Sequence, residues 1–94
     1  MPTPRPARTL VRGKQWTARK SIDTAKFEAI AGAILASLDT KPVPFGELSA
    51  RVERLLPRFD GSVSWYTITC VRELEVRGQV VRQENPVRYH LSGR

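Results

Sequence analysis

The sequence predicts a mainly α-helical fold with a small β-hairpin, in which three helices are followed by two short strands. Apolar residues recur every three or four positions between about residues 24 and 77, the spacing that places them on one side of a helix. Alternating residues on either side of Glu84-Asn85-Pro86 then predict a hairpin near the C-terminal end. A chain of 94 residues has room for one core, so we expect a single small domain preceded by an arm.

The first helix is predicted to begin near Asp23 or Thr24, since both residue types are favourable N-caps. Its buried side is formed by apolar residues at helical spacing: Phe27, Ile30, Ala31, Ile34, Leu35 and Leu38. The sequence Asp39-Thr40-Lys41-Pro42 ends the helix. Val43 lies between two prolines and is therefore extended, so it could add a few residues to a small sheet.

The second and third helices are predicted from Phe45 to Leu56 and from Ser64 to Arg77. Pro57 ends the second helix, Ser62 or Ser64 caps the third, and Gly78 ends it. The second helix buries Phe45, Leu48, Val52, Leu55 and Leu56. The third is expected to turn one side to the core (Thr67, Cys70, Val71 and Leu74) and the other outward (Trp65, Thr69, Arg72, Glu73 and Val76). The outward side of the third helix is thus expected to be accessible to a ligand.

The formal charge of +7 is concentrated at the N-terminal end. Residues 1–22 contain six basic residues and no acidic one, whereas residues 23–94 contain ten basic and nine acidic residues. Prolines at positions 2, 4 and 6 favour an extended chain, so we expect residues 1–22 to be an extended or disordered arm and residues 23–94 to be the domain. Such an arm is suited to nucleic-acid phosphates, and a solvated tail is the alternative.

Several classes of protein are excluded by residue usage. A single cysteine, Cys70, excludes an intramolecular disulfide, and with one histidine, His90, the chain cannot assemble a Cys/His zinc site. There is no glycine-rich phosphate loop and no paired-carboxylate pattern, so we expect neither an enzyme nor a cofactor. The longest apolar run, from Ala29 to Ala36, is too short to cross a membrane, and we expect a soluble cytoplasmic protein.

The order of elements resembles the winged helix-turn-helix family over residues 23–92. The helices 45–56 and 64–77 resemble its paired helices. The segment 71–82, in which two apolar residues three apart are followed by Gly78 and a short strand, is similar to a pattern common in bacterial winged-helix regulators. With the aromatic pair Trp65-Tyr66 early in the third helix, the chain is also similar to small uncharacterised bacterial winged-helix proteins. Residues 87–91 resemble the return strand of the wing. The resemblance implies three helices with a two- to three-stranded antiparallel wing sheet.

The resemblance also implies duplex DNA as the partner and a role in transcriptional regulation. Helix 64–77 would then enter the major groove and present Trp65, Thr69, Arg72 and Glu73 to the bases. Arg82 and Arg88 on the wing would meet phosphates. The arm would add further phosphate contacts through Arg12, Lys14, Arg19 and Lys20. A homodimer is compatible with this function, and the small-molecule effector is unknown.

Two features of the sequence keep a second hypothesis open. Glu73 and Glu75 balance Arg72 and Arg77, so the third helix is locally neutral, and these residues are also at the spacing of surface ion pairs. The wing turn at residues 84–86 is short and lacks a basic tip. The alternative is therefore a protein-interaction or dimerisation module of the same fold, with Trp65 and Tyr66 in an exposed apolar patch.

Overall fold

The computed structural model describes residues 8–11 and 20–93. Within these ranges three helices pack together, and two separate two-stranded antiparallel sheets lie at the two ends of the chain. The elements in chain order are β1 (Arg8–Val11), β2 (Lys20–Asp23), α1 (Thr24–Ser37), α2 (Phe45–Leu55), α3 (Val63–Val76), β3 (Val80–Gln83) and β4 (Arg88–Leu91). The predicted three helices and C-terminal hairpin are thus confirmed.

Capping residues mark the N-terminal ends of α1 and α3. At the start of α1, the Asp23 carboxylate accepts a hydrogen bond of 2.9 Å from the Ala25 N–H. Ser62 caps α3 in the same way, since its hydroxyl accepts from the Trp65 N–H at 3.2 Å. Each side-chain oxygen satisfies a backbone donor that the helix itself leaves without an acceptor. After α3, the positive φ of Gly78 (+78°) turns the chain into β3.

Each helix contributes an apolar side to a shared core. The buried residues of α1 are Phe27, Ile30, Ala31, Ala33 and Ile34, and those of α2 are Leu48 and Val52. Leu55, which we expected on the buried side of α2, is 53 % exposed instead. It is the last residue of α2, and the chain turns away immediately after it, at Leu56 and Pro57.

The C-terminal hairpin closes the core from one end. Val80 pairs with Leu91, and Arg82 pairs with Tyr89. Val43, between α1 and α2, forms an isolated bridge to Tyr89 through two backbone hydrogen bonds of 2.9 and 2.8 Å. The predicted extended residue between the prolines therefore joins the edge of this sheet, and it ties the α1–α2 connection to the hairpin.

The N-terminal strand pair revises the predicted boundary between arm and domain. β1 and β2 are antiparallel, with Arg8 opposite Asp23 and Val11 opposite Lys20. Val11 is fully buried and Ile22 is 4 % exposed, and both belong to the same core as the helices. β1 packs against α3 as well as α1. The expectation that the domain begins at residue 23 is wrong for these two strands, because they provide core residues rather than a separate arm.

We predict that Val11→Ala lowers the free energy of unfolding by about 2 kcal/mol, since it removes two buried methyl groups. Leu10→Ala is the matched control, because the neighbouring Leu10 side chain is 44 % exposed. Urea unfolding followed by circular dichroism measures both. Equal, small losses for the two variants would show that β1 does not contribute to the core in solution.

Candidate nucleic-acid interface

The exposed side of α3 is a narrow stripe near the start of the helix. Ser64 and Trp65 are exposed, whereas Ile68 and Arg72 are half-buried. Ile68 follows Ser64 by four residues and Trp65 by three, and Arg72 follows Ile68 by four, so these residues lie along one side of the helix. Ile68 was not among the predicted contact residues, although its spacing from Trp65 and Arg72 places it on the same side. We call Ser64, Trp65, Ile68 and Arg72 the α3 stripe.

Two of the four predicted base-contacting residues are buried. Thr69 is 2 % exposed and Glu73 is completely buried, so the expectation that they face a ligand is wrong. The reason is the number of neighbours around α3, which packs against β1 and β3 in addition to α1 and α2. With four neighbouring elements, α3 has fewer exposed side chains than a helix with a single buried side.

Glu73 has a structural role in this arrangement. Its Oε2 accepts a hydrogen bond of 2.8 Å from Arg77 Nε, one turn later on α3. The Arg77 guanidinium lies 4.8 Å from the ring centroid of Phe27 on α1. A buried carboxylate is costly unless it is paired and hydrogen-bonded, so Arg77 compensates the charge of Glu73 and joins α3 to α1.

Trp65 lies at one end of a row of aromatic rings, Phe59, Trp65 and Tyr66, which we call the aromatic row. Trp65 and Tyr66 are in edge-to-face contact at 4.9 Å, and Tyr66 contacts Phe59 in the same way at 5.0 Å. The aromatic row packs against the α2–α3 turn at Gly61, which has a φ of +132°. If any other residue replaced Gly61, its Cβ would lie only 2.9 Å from the Tyr66 ring. Trp65 itself is 40 % exposed, so part of its side chain is accessible to a ligand.

The two predicted wing residues differ in their surroundings. Arg82 is half-buried and its Nη1 donates to Glu84 Oε1 at 2.6 Å. The hydrogen bond to Glu84, together with one to Tyr89, raises the pKa of Arg82 above its usual value. Arg88 pairs with Gln83 on the hairpin and is exposed. Arg88 is therefore the more accessible of the two for a phosphate.

The predicted contacts of the arm can be placed only in part. Arg12, Lys14 and Arg19 lie outside the described residues. Lys20 is the first residue of β2, directly opposite Val11. β1, the other strand of this pair, packs against α3, the helix that carries the α3 stripe.

Cys70 is fully buried on α3. Burial, and to a lesser extent the charge of Glu73, raises the pKa of the Cys70 thiol from 9.0 to about 12. A thiol of this kind is a packing residue and a poor nucleophile.

Within residues 8–11 and 20–93, no group of three or more histidine, cysteine, aspartate or glutamate residues could hold a metal ion. No helix in the same ranges is long and apolar enough to cross a membrane.

We predict that Arg77→Ala lowers the free energy of unfolding by about 2 kcal/mol, because it leaves the buried Glu73 carboxylate without its Arg77 hydrogen bond and removes the contact with Phe27. Arg88→Ala removes the same charge at an exposed position, and we expect it to cost less than about 0.5 kcal/mol. Chemical denaturation compares the two. A loss for Arg77→Ala no larger than the control value would contradict the structural role of this pair.

The buried thiol predicts both slow modification and a pH effect on stability. Native Cys70 should react with a thiol reagent at mildly alkaline pH far more slowly than the unfolded chain does. Because its folded pKa is raised, its contribution to stability is complete below pH 9.0 and is lost as the pH rises from 9.0 towards about 12. Cys70→Ala should flatten this decline. Rapid labelling of the native protein would refute the burial of the thiol.

Comparison with known proteins identifies the family of the chain. No curated protein and no solved structure matches the chain. A family model described as "Family of unknown function (DUF6958)" matches residues 9–89. The match runs from β1 to β4, so the unit shared by the family includes the N-terminal strand pair together with the three helices. The chain therefore belongs to the DUF6958 family of unknown function.

Proposed function

We propose that this chain is a winged helix-turn-helix protein of the cytoplasm that binds duplex DNA and regulates transcription. The observation that carries the proposal is the order of α1, the Val43 bridge, α2, α3 and the β3–β4 hairpin, which is the order of elements in a winged helix. In this arrangement α3 is the recognition helix and the hairpin is the wing.

The α3 stripe supplies the contacts to base edges in this proposal. Arg72 is suited to donate to guanine, and Trp65 and Ile68 offer apolar contact, for example to a thymine methyl group. Arg88 on the wing meets a phosphate. Thr69 and Glu73 take no part, because both are buried. The stripe is narrow, so it supports contact with few base pairs per chain.

Most of the affinity is expected to come from the basic N-terminal sequence. The described residues from 23 to 93 contain nine basic and nine acidic residues, so this part of the chain is formally neutral. Residues 1–22 contain six basic residues and no acidic one. Binding to phosphates releases counterions and weakens steeply with salt, so the arm predicts strongly salt-dependent binding.

We predict that a fluorescent duplex binds the full chain, and that Arg12→Ala with Lys14→Ala lowers the slope of log affinity against log salt by about 2, one for each lost phosphate contact. The matched control removes the same charge elsewhere, through Lys41→Ala with Arg54→Ala, both at exposed positions. Fluorescence anisotropy over a salt series gives the slopes. Binding weaker than about 100 μM at moderate salt, or equal slopes for the two double variants, would refute the proposal.

A protein-interaction module of the same fold is the second candidate, and the exposure of Trp65 favours it. The Trp65 side chain is 40 % exposed beside Tyr66 and Ile68, and an aromatic residue of this kind is typical of the centre of a protein interface. If the chain forms a homodimer through the α3 stripe, we expect Trp65→Ala to dissociate it, so that the molecular mass measured in solution falls to that of a monomer. DNA binding by the monomer would leave the mass unchanged.

A further inference from the structure

A groove of about 470 Å³ lies between α1, the end of α2 and the segment that follows α2. Most of its lining is apolar: Ala25, Ala29, Leu55, Leu56, Pro57 and Phe59. None of these residues belongs to α3, so the groove is a different surface from the α3 stripe. Its volume lies within the range of about 300–1,000 Å³ that is typical of ligand pockets, which is enough for bulky apolar side chains.

Leu55 gives the groove an apolar surface that the chain itself does not cover. At 53 % it is the most exposed of the large apolar side chains that the structure describes as exposed. Leu56 and Phe59 are half-buried at the edge of the core, so each adds some exposed apolar surface beside Leu55. Covering these side chains with a partner removes apolar area from water, which is favourable.

Of the three charged residues that line the groove, two are basic, Lys26 and Arg58, and one is acidic, Asp60. Lys26 Nζ lies 5.9 Å from the centroid of the Phe59 ring and 3.9 Å from Asp60 Oδ2. The Asp60 side chain is 99 % exposed, so this ion pair is weak and an incoming carboxylate can replace it. Arg58 lines the groove and is exposed. These groups favour an acidic ligand.

We propose that this groove binds an acidic segment of another protein that carries bulky apolar side chains, such as an amphipathic helix. The apolar side chains occupy the floor beside Leu55, and carboxylates of the segment approach Lys26 and Arg58. This mode of recognition combines an apolar groove with a complementary rim.

The same charges argue against an occupant from this chain. Residues 1–22, whether of the same molecule or of a second copy, would bring six basic residues and no acidic one towards Lys26 and Arg58. Like charges at a contact oppose binding. The occupant is therefore a different protein, and the binding of that protein is independent of the proposed function in DNA binding.

The test uses a synthetic helical peptide with leucine or phenylalanine at every third or fourth position and glutamate at the others. A second peptide has lysine in place of every glutamate. Titration of each into the ¹⁵N-labelled full chain gives the affinity and the residues whose amide signals shift. We expect the acidic peptide to shift Ala29, Leu55 and Phe59, and to bind at least about tenfold more tightly than the basic one, a difference of about 1.4 kcal/mol.

Two variants locate the contacts. Leu55→Glu removes apolar surface and adds a repulsive charge, and Arg58→Glu reverses a rim charge, so each should weaken the acidic peptide by about tenfold. Val81→Glu and Lys41→Glu are matched controls at exposed positions on β3 and after α1, and they should leave the affinity unchanged. All four positions are exposed, so an unchanged pattern of amide signals for the free variants verifies the fold.

Three results would overturn the proposal. One is no binding of the acidic peptide, or equal binding of both peptides. Another is that the acidic peptide leaves the amide signals of Leu55 and Phe59 unshifted, or that the two variants change its affinity no more than their controls do. The last is duplex DNA that shifts the same groove residues and displaces the peptide, which would assign the groove to nucleic acid. DNA binding itself is judged by its salt slope, so failure of either proposal leaves the other testable.

Discussion

The packing of α3 on several sides is the constraint on which the rest of this structure depends. α3 contacts α1, α2, β1 and β3, and the side chains that meet these neighbours are excluded from water. Thr67, Cys70, Val71 and Leu74 fill the core, as expected from their spacing, and Thr69 and Glu73 are buried as well. What remains exposed is a stripe along the helix. Any ligand recognised by α3 must therefore be recognised by few side chains.

A buried carboxylate in the middle of this helix explains several neighbouring contacts. Glu73 is completely buried, and a buried carboxylate needs a cation with good geometry. Arg77 supplies it from the next turn, and the Arg77 guanidinium covers the ring of Phe27. The same carboxylate helps to hold the neighbouring Cys70 in its protonated form. The end of α3 is thus joined to α1 by charge as well as by apolar packing.

Two surfaces of different character result from this architecture. The α3 stripe lies on α3, the helix against which β1 packs. The groove beside Leu55 lies between α1 and the end of α2, and its cations are few and local. Phe59 connects the two surfaces, because it lines the groove and contacts Tyr66 in the aromatic row. A ligand in the groove thus touches the same turn that supports Trp65.

The features that could be predicted from the sequence are those that depend on local chemistry. They are a cap at Asp23 or Thr24, a cap at Ser62 or Ser64, the breaks at Pro57 and Gly78, and the hairpin turn at residues 84–86. Which sides of α3 are covered depends on the tertiary packing. The spacing of Thr69 and Glu73 marks one side of a helix, but both are buried on a helix that also packs against β1 and β3. The exposure of Leu55 likewise depends on where the chain turns after α2, because burial is set by neighbours in space and periodicity describes only the helix that carries the residue.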